Sequence, residues 1–141
     1  MRFLFAILFL FFVNQGVSQD VLGQWKTFDE DTGEEKSVVE IYRSDGKIYG
    51  KVDELLKDNL KGARCTRCKG KLKNQKVKGM VIIEGLSKTG EKYTGGTITD
   101  PENGKTYDAK IWIENDEPDV LLVSGYIAFF SRTQEWIRLK N

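Results

Sequence analysis

From Val21 onward the sequence alternates apolar and polar residues with a period of two. Turn-forming residues interrupt the pattern at a spacing of roughly 8 to 12 positions, the signature of short strands rather than helices. Ile48, Gly50 and Val52 alternate with Lys47, Tyr49 and Lys51, and Tyr107, Ala109, Ile111 and Ile113 alternate with Asp108, Lys110 and Trp112. One face of each strand must therefore look inward. Strands are predicted over residues 22–28, 37–43, 47–53, 79–84, 92–99, 106–114, 120–127 and 134–140. The connections Asp31-Thr32-Gly33, Ser44-Asp45-Gly46, Ser87-Lys88-Thr89-Gly90, Asp100-Pro101-Glu102-Asn103-Gly104 and Asn115-Asp116-Glu117-Pro118-Asp119 carry residues that bend or tolerate positive φ, so they read as hairpins. Only residues 54–78 make a long connection, where 53–60 are expected to form a helical turn or two ended by Gly62. Antiparallel strands in sequence order close most economically into an up-and-down barrel, because closure removes both exposed edges. The expected fold is a single all-β, eight-stranded, antiparallel up-and-down barrel.

The first residues are of another kind. Arg2 precedes an uninterrupted apolar run of 11 residues, 3–13, followed by the polar stretch Asn14 to Ser18. The run is well short of the roughly 20 residues a transmembrane helix needs, and Gly16 and Ser18 suit the −3 and −1 positions of a cleavage site before Gln19. Residues 1–18 are read as a signal peptide and 19–141 as the barrel domain, secreted or periplasmic and not membrane-spanning after cleavage. No cysteine near the cut supports a lipid anchor.

Charge and composition exclude several classes. The chain carries 22 Lys+Arg against 21 Asp+Glu, and loss of Arg2 with the leader leaves a neutral domain. Such a balance gives no footprint for nucleic acid and no support for steering toward an anionic surface. Without histidine, Ser-His-Asp and Cys-His groupings and imidazole ligands are unavailable. Neither a cofactor nor a metal is expected.

Cys65 and Cys68 lie among Lys61, Arg64, Arg67, Lys69, Lys71 and Lys73, cations that would stabilise a thiolate. A thioredoxin-like site needs such cysteines at a helix start in a βαβ unit, whereas these fall in the long loop of a β meander. Zinc would lack its third and fourth ligands. A local disulfide that stiffens the loop is the expected role. The acidic turns Asp29-Glu30-Asp31 and Asn115-Asp116-Glu117 lack the spacing of a twelve-residue calcium loop. Among Glu40, Glu84, Asp100, Asp108 and Glu114 nothing singles out a glycosidase pair.

An eight-stranded barrel is just wide enough to be filled by side chains or to hold one small ligand. Gly50, Gly95 or Gly96, Ala109 and Gly125 leave room in four strands, or else serve bulges and corners. Ile41, Tyr42, Tyr107, Ile111 and Trp112 are the candidate ligand-binding residues. Phe129 and Phe130 are expected to pack across the mouth, with exposure as an apolar contact the alternative.

The first strand carries Gly23-Gln24-Trp25 and the last Trp136-Ile137-Arg138, so closure would set the Trp25 indole beside the Arg138 guanidinium. This pairing of an early Gly-x-Trp with a late arginine resembles the lipocalin and wider calycin pattern. The blocks Gly23-Gln24-Trp25-Lys26-Thr27, Ser37-Val38-Val39-Glu40-Ile41-Tyr42, Gly46-Lys47-Ile48-Tyr49-Gly50, Cys65-Thr66-Arg67-Cys68, Gly95-Gly96-Thr97-Ile98-Thr99-Asp100-Pro101, Asn103-Gly104-Lys105-Thr106-Tyr107 and Gln134-Glu135-Trp136-Ile137-Arg138 together resemble the exported bacterial family catalogued as domain of unknown function 2147. The resemblance implies a secreted or periplasmic lipocalin-like barrel and brings no catalytic residues with it. Where that family tends to place a glycine before the last strand, this chain has Ala128-Phe129-Phe130-Ser131-Arg132.

The expected function is non-enzymatic binding of a small apolar or amphipathic molecule inside the barrel. A filled barrel that contacts a cell-envelope protein through residues 128–132 or the basic loop 65–73 is the alternative. A thiol-disulfide role for Cys65 and Cys68 is a third reading.

Overall fold

The computed structural model describes residues 20–140, so the leader assigned to 1–18 lies outside the described residues. Eight strands follow in order: β1 (Gly23–Phe28), β2 (Glu35–Ser44), β3 (Lys47–Leu55), β4 (Val81–Thr89), β5 (Lys92–Thr99), β6 (Thr106–Ile113), β7 (Val120–Ile127) and β8 (Phe130–Arg138). Each pairs antiparallel with the next, and β8 pairs with β1 through Trp25↔Arg138 and Lys26↔Ile137 to close the barrel. The up-and-down barrel expected from the alternation is the observed fold. Among the described residues, helix is confined to two 3-10 turns in the long β3–β4 loop, Asp58–Leu60 and Gly70–Leu72.

Most boundaries shift by one or two residues; two shift by four or five, each for a physical reason. The fourth strand was expected to end at Glu84 but continues to Thr89. Ile83 and Leu86 are both fully buried at an odd spacing, which simple alternation forbids. Gly85 supplies the missing step. At φ +73° it inserts one extra residue opposite β3, where Gly50 pairs with Ile83 and Ile48 with Leu86. The last strand begins at Phe130 rather than Gln134. Residues 131–134, Ser-Arg-Thr-Gln, are polar on both faces, so no apolar alternation marks the start of this strand in sequence. The turn between Ile127 and Phe130 is only two residues long. Ala128 adopts φ +51° in it, the conformation that a glycine would take without strain.

Up-and-down order sorts the connections to two ends. The base holds the β2–β3, β4–β5 and β6–β7 turns and both ends of the described chain. The rim holds the β1–β2, β5–β6 and β7–β8 hairpins and the long loop 56–80. At the base the Arg138 guanidinium lies 4.3 Å from the Trp25 ring and donates to the carbonyls of Leu22 (3.2 Å) and Asp20 (2.8 Å), while the Trp25 indole donates to Val21 (2.9 Å). The expected Trp25–Arg138 stack is thus present, and it ties the segment before β1 across the base.

Candidate ligand-binding site

The barrel interior is divided. Its base half is solid, packed with Trp25, Ile41, Ile48, Ile83, Leu86, Ile111 and Leu121, all essentially without solvent exposure. Its rim half is hollow, a cavity of about 390 Å³ that opens between the rim hairpins. That volume lies within the range of small-molecule pockets, roughly 300–1,000 Å³. Val39, Val52, Leu55, Ile98, Val123 and Trp136 form the apolar wall.

All eight strands contribute side chains to the cavity wall, from Thr27 of β1 to Gln134 of β8. Gly125 of β7 stands on that wall, where Ile98 and Tyr107 pack over it and an added Cβ would be only 3.3 Å from each. The other small residues do different work. Gly50 is covered by Ile41 and Ile83 in the solid half, with an added Cβ 3.1 Å from both, and Ala109 is fully buried there. Gly95 at φ +83° makes a bulge between the pairs Tyr93↔Ile111 and Gly96↔Ala109, and Gly96 packs against the Glu84–Gly85 backbone. Of these small residues, Gly125 alone lines the cavity.

The long loop roofs one side of the mouth. Leu60, Ala63, Arg64, Thr66 and Val77 line the cavity from it. Cys65 and Cys68 form the expected disulfide, and both are buried, with the Cys65 sulfur 3.4 Å from the Pro101 carbonyl. An attacking thiolate needs access to solvent, so the burial suits a structural bond. The β5–β6 connection below the loop is the expected hairpin, and side chains cap its bend: Asp100 accepts from the Glu102 amide (2.8 Å) and Asn103 from the Lys105 amide (2.8 Å).

Polar groups collect at the mouth. Thr27 and Ser37 share a hydrogen bond of 2.6 Å, and the Tyr107 hydroxyl accepts from Asn103 at 3.2 Å, which leaves the phenol proton free to be donated. Gln134 accepts from the Trp136 indole (3.1 Å) and donates to Glu30 (2.6 Å), which also pairs with Arg132. Lys36 pairs with Glu102 at 2.8 Å, while the Arg64 guanidinium donates to the Asn74 carbonyl. An apolar pocket closed by a wet, hydrogen-bonding rim fits a molecule with an apolar body and one polar end.

The five sequence candidates separate. Tyr107 stands on the cavity wall. Ile41 and Ile111 face inward but belong to the solid half. Tyr42 and Trp112 stand on the outer face: the Tyr42 ring stacks on Tyr49 at 5.8 Å, and Lys92 sits 4.2 Å over Trp112. Adjacent residues of one strand point to opposite faces, so Ile41 with Tyr42, and Ile111 with Trp112, could never share a pocket. The wall residues Val39, Val52, Val123 and Trp136 were missed. The signal for them was available in principle, since a base sealed by Trp25 and Arg138 puts any cavity at the far end of each inward stripe.

The β1–β2 hairpin at the rim holds one strong ion pair. Lys57 reaches Asp29 at 2.7 Å and Glu34 at 3.5 Å. The Lys57 ammonium, helped by the amides of Asp31 and Thr32, lowers the Asp29 carboxyl to about 2, and Asp29 in turn raises Lys57. A carboxylate whose folded value lies below its unfolded one contributes stability above the unfolded value and loses it as pH falls through the folded one. Wild type should therefore lose stability from about pH 4 toward pH 2. Asp29→Asn should flatten that part of the profile of urea midpoint against pH; an unchanged slope would show that other carboxylates dominate.

Comparison with known proteins gives two matches. The model of the family described as "Uncharacterized protein conserved in bacteria (DUF2147)" matches residues 23–138. Among solved structures, the chain resembles a Helicobacter pylori protein, HP1028, described as belonging to the lipocalin family, with 24% identity, a TM-score of 0.73, and coverage of 86% of this chain and 84% of that one. At that identity the likeness concerns the fold. No curated protein matches the chain.

Proposed function

The chain belongs to the bacterial family DUF2147, and from that footing we propose that it is an exported, non-enzymatic carrier of one small amphipathic molecule, with the apolar body in the rim-half cavity and the polar end at the mouth. The observation that carries this reading is the division of the interior. A barrel built only as a scaffold would be packed throughout, because each unfilled volume forfeits dispersion contacts. Here the base half is packed and the rim half is open and apolar. The lipocalin-like fold agrees at the level of architecture. Export is supported by the apolar leader with its small residues before Gln19, and by a disulfide of the kind that persists in oxidising compartments.

Tyr107 and Gln134 are the groups placed to orient the polar end, while Val39, Val52, Val123 and Trp136 hold the body. Specificity would then come from few polar contacts and affinity from apolar burial, at about 25 cal/mol per Å² removed from water.

The test is native mass spectrometry of the processed protein from a bacterial host, compared with its denatured mass. A discrete extra mass lost on denaturation is expected for wild type. Val123→Trp, which puts an indole into the cavity, should abolish it while leaving the far-UV spectrum of a β-barrel. Retention of the same mass by Val123→Trp would place the ligand elsewhere and sink the reading.

A further inference from the structure

The charge of this chain is strongly segregated, although its total is near zero. Between residues 57 and 78 there are nine lysine and arginine side chains against one acid, Asp58. Lys57 is taken by Asp29 and Glu34, and Lys61 by Asp58. Arg64, Arg67, Lys69, Lys71 and Lys73, with Lys76 and Lys78 after them, are exposed and form no ion pair among the described residues. A neutral total therefore does not describe this surface, because the cations are concentrated in one loop.

That loop lies at the cavity mouth, and so does the most exposed apolar feature of the barrel. The β7–β8 hairpin presents Ile127, Phe129 and Phe130 to solvent, with Phe129 fully exposed and Phe130 at 67%. The expected packing of the two rings across the mouth does not occur. A two-residue turn with Ala128 at positive φ projects Phe129 beyond the last strand pair, and no loop is near enough to cover it. Phe130 and Arg132 line the same mouth as Arg64 and Thr66 of the basic loop, so both features share one end. Acidic groups at that end are largely engaged: Asp29 and Glu34 by Lys57, Glu30 by Arg132, and Glu102 by Lys36.

We propose that the open end of the barrel docks on an anionic phospholipid surface, with the lysines and arginines of residues 64–78 against the headgroups and Phe129 inserted as an apolar wedge. A soluble polyanion or an acidic protein would be held by the cations but would gain little from an aromatic side chain standing alone at a hairpin tip. A lipid surface uses both, through electrostatic attraction within a Debye length and burial of a ring at the headgroup boundary. Docked this way, the cavity would face the lipid from which an amphipathic molecule is drawn or to which it is delivered. The docking surface stands on its own observations and does not depend on whether the cavity carries a ligand.

The test uses residues 20–140, which close on their own core and lack the apolar leader. Co-sedimentation is measured with vesicles of phosphatidylcholine alone and with an added phosphatidylglycerol fraction, at low and high salt. Binding to the anionic vesicles and not to the neutral ones, lost at high salt, is expected. The triple variant Lys69→Gln, Lys71→Gln, Lys73→Gln should weaken it by about two orders of magnitude, near fivefold per charge. Phe129→Ser should weaken it by about tenfold or more, whereas Lys47→Gln with Lys88→Gln at the base should leave it unchanged. All substituted side chains are exposed, so the barrel's far-UV spectrum should be retained. Equal binding to neutral vesicles, an equal loss with the base variant, or a Phe129→Ser variant that binds as wild type would each overturn the proposal, the last in favour of a soluble polyanion or an acidic protein.

Discussion

Trp25→Ala should lower the unfolding free energy by about 4 kcal/mol, the middle of what buried aromatic deletions cost. Trp25 is fully buried at the base, and three interactions depend on it. Its ring fills the floor beneath the solid half, its indole N–H donates to the Val21 carbonyl at 2.9 Å, and the Arg138 guanidinium stacks on its outer face at 4.3 Å. Removing the indole leaves a cavity and strips Arg138 of the surface that orients it toward the carbonyls of Leu22 and Asp20. β1 and β8 meet over only two residue pairs, one of which is Trp25↔Arg138, so the weakened point is the seam that closes the barrel. Urea unfolding followed by far-UV circular dichroism measures the loss. Domains of this size have a total of about 5–15 kcal/mol, so the variant should be only marginally folded at ambient temperature. Trp25→Phe keeps an apolar ring and should cost roughly half as much. A Trp25→Ala cost below about 1 kcal/mol would show that the base is not the closing element.

Gly104→Ala should cost about 3 kcal/mol, a large effect for one methyl group in a turn. Two independent penalties combine. The backbone at Gly104 has φ +72°, which costs a residue with a Cβ about 1 kcal/mol. The added Cβ would also fall within the van der Waals radius of the Arg67 carbonyl and against the Cys68 amide, both of them backbone and unable to swing aside. Gly33 and Gly62 separate the two causes, because their φ values are +75° and +80° and an added Cβ would meet nothing within 4 Å. Gly33→Ala and Gly62→Ala should therefore cost about 1 kcal/mol each. If Gly104→Ala costs no more than these, the close approach of loop and hairpin is not a stabilising contact. If it costs the larger amount, the disulfide-bearing loop should also lift from the β5–β6 hairpin, exchange its amide protons faster, and bind cavity ligand less tightly, since Ala63, Arg64 and Thr66 would leave the wall.

The number, order and direction of the strands were written in the sequence, because each strand is a local alternation and each hairpin a local turn chemistry. Closure was legible too, since Trp25 and Arg138 stand on the first and last strands and only a closed sheet brings them together. The disulfide between Cys65 and Cys68 needed only their spacing and loop context. These features depend on residues within a few positions of one another, or on one pairing that the topology forces.

What the sequence did not determine depends on sums over strands far apart in the chain. Whether the interior is solid or hollow is set by how inward side chains from eight strands fill each layer, and the glycine at 125 lines the cavity while those at 50, 95 and 96 do not, although all four look alike in the sequence. The Gly85 bulge shifts the inward face of β4 by one residue, and a stretch polar on both faces hides the start of β8. The same holds for charge. The run of cations over residues 64–78 stands in the sequence, but only the folded arrangement leaves it without acidic partners and sets it at one mouth with an exposed Phe129. Local periodicity fixes the elements; the volume left between them and the surface they present exist only once the barrel has closed.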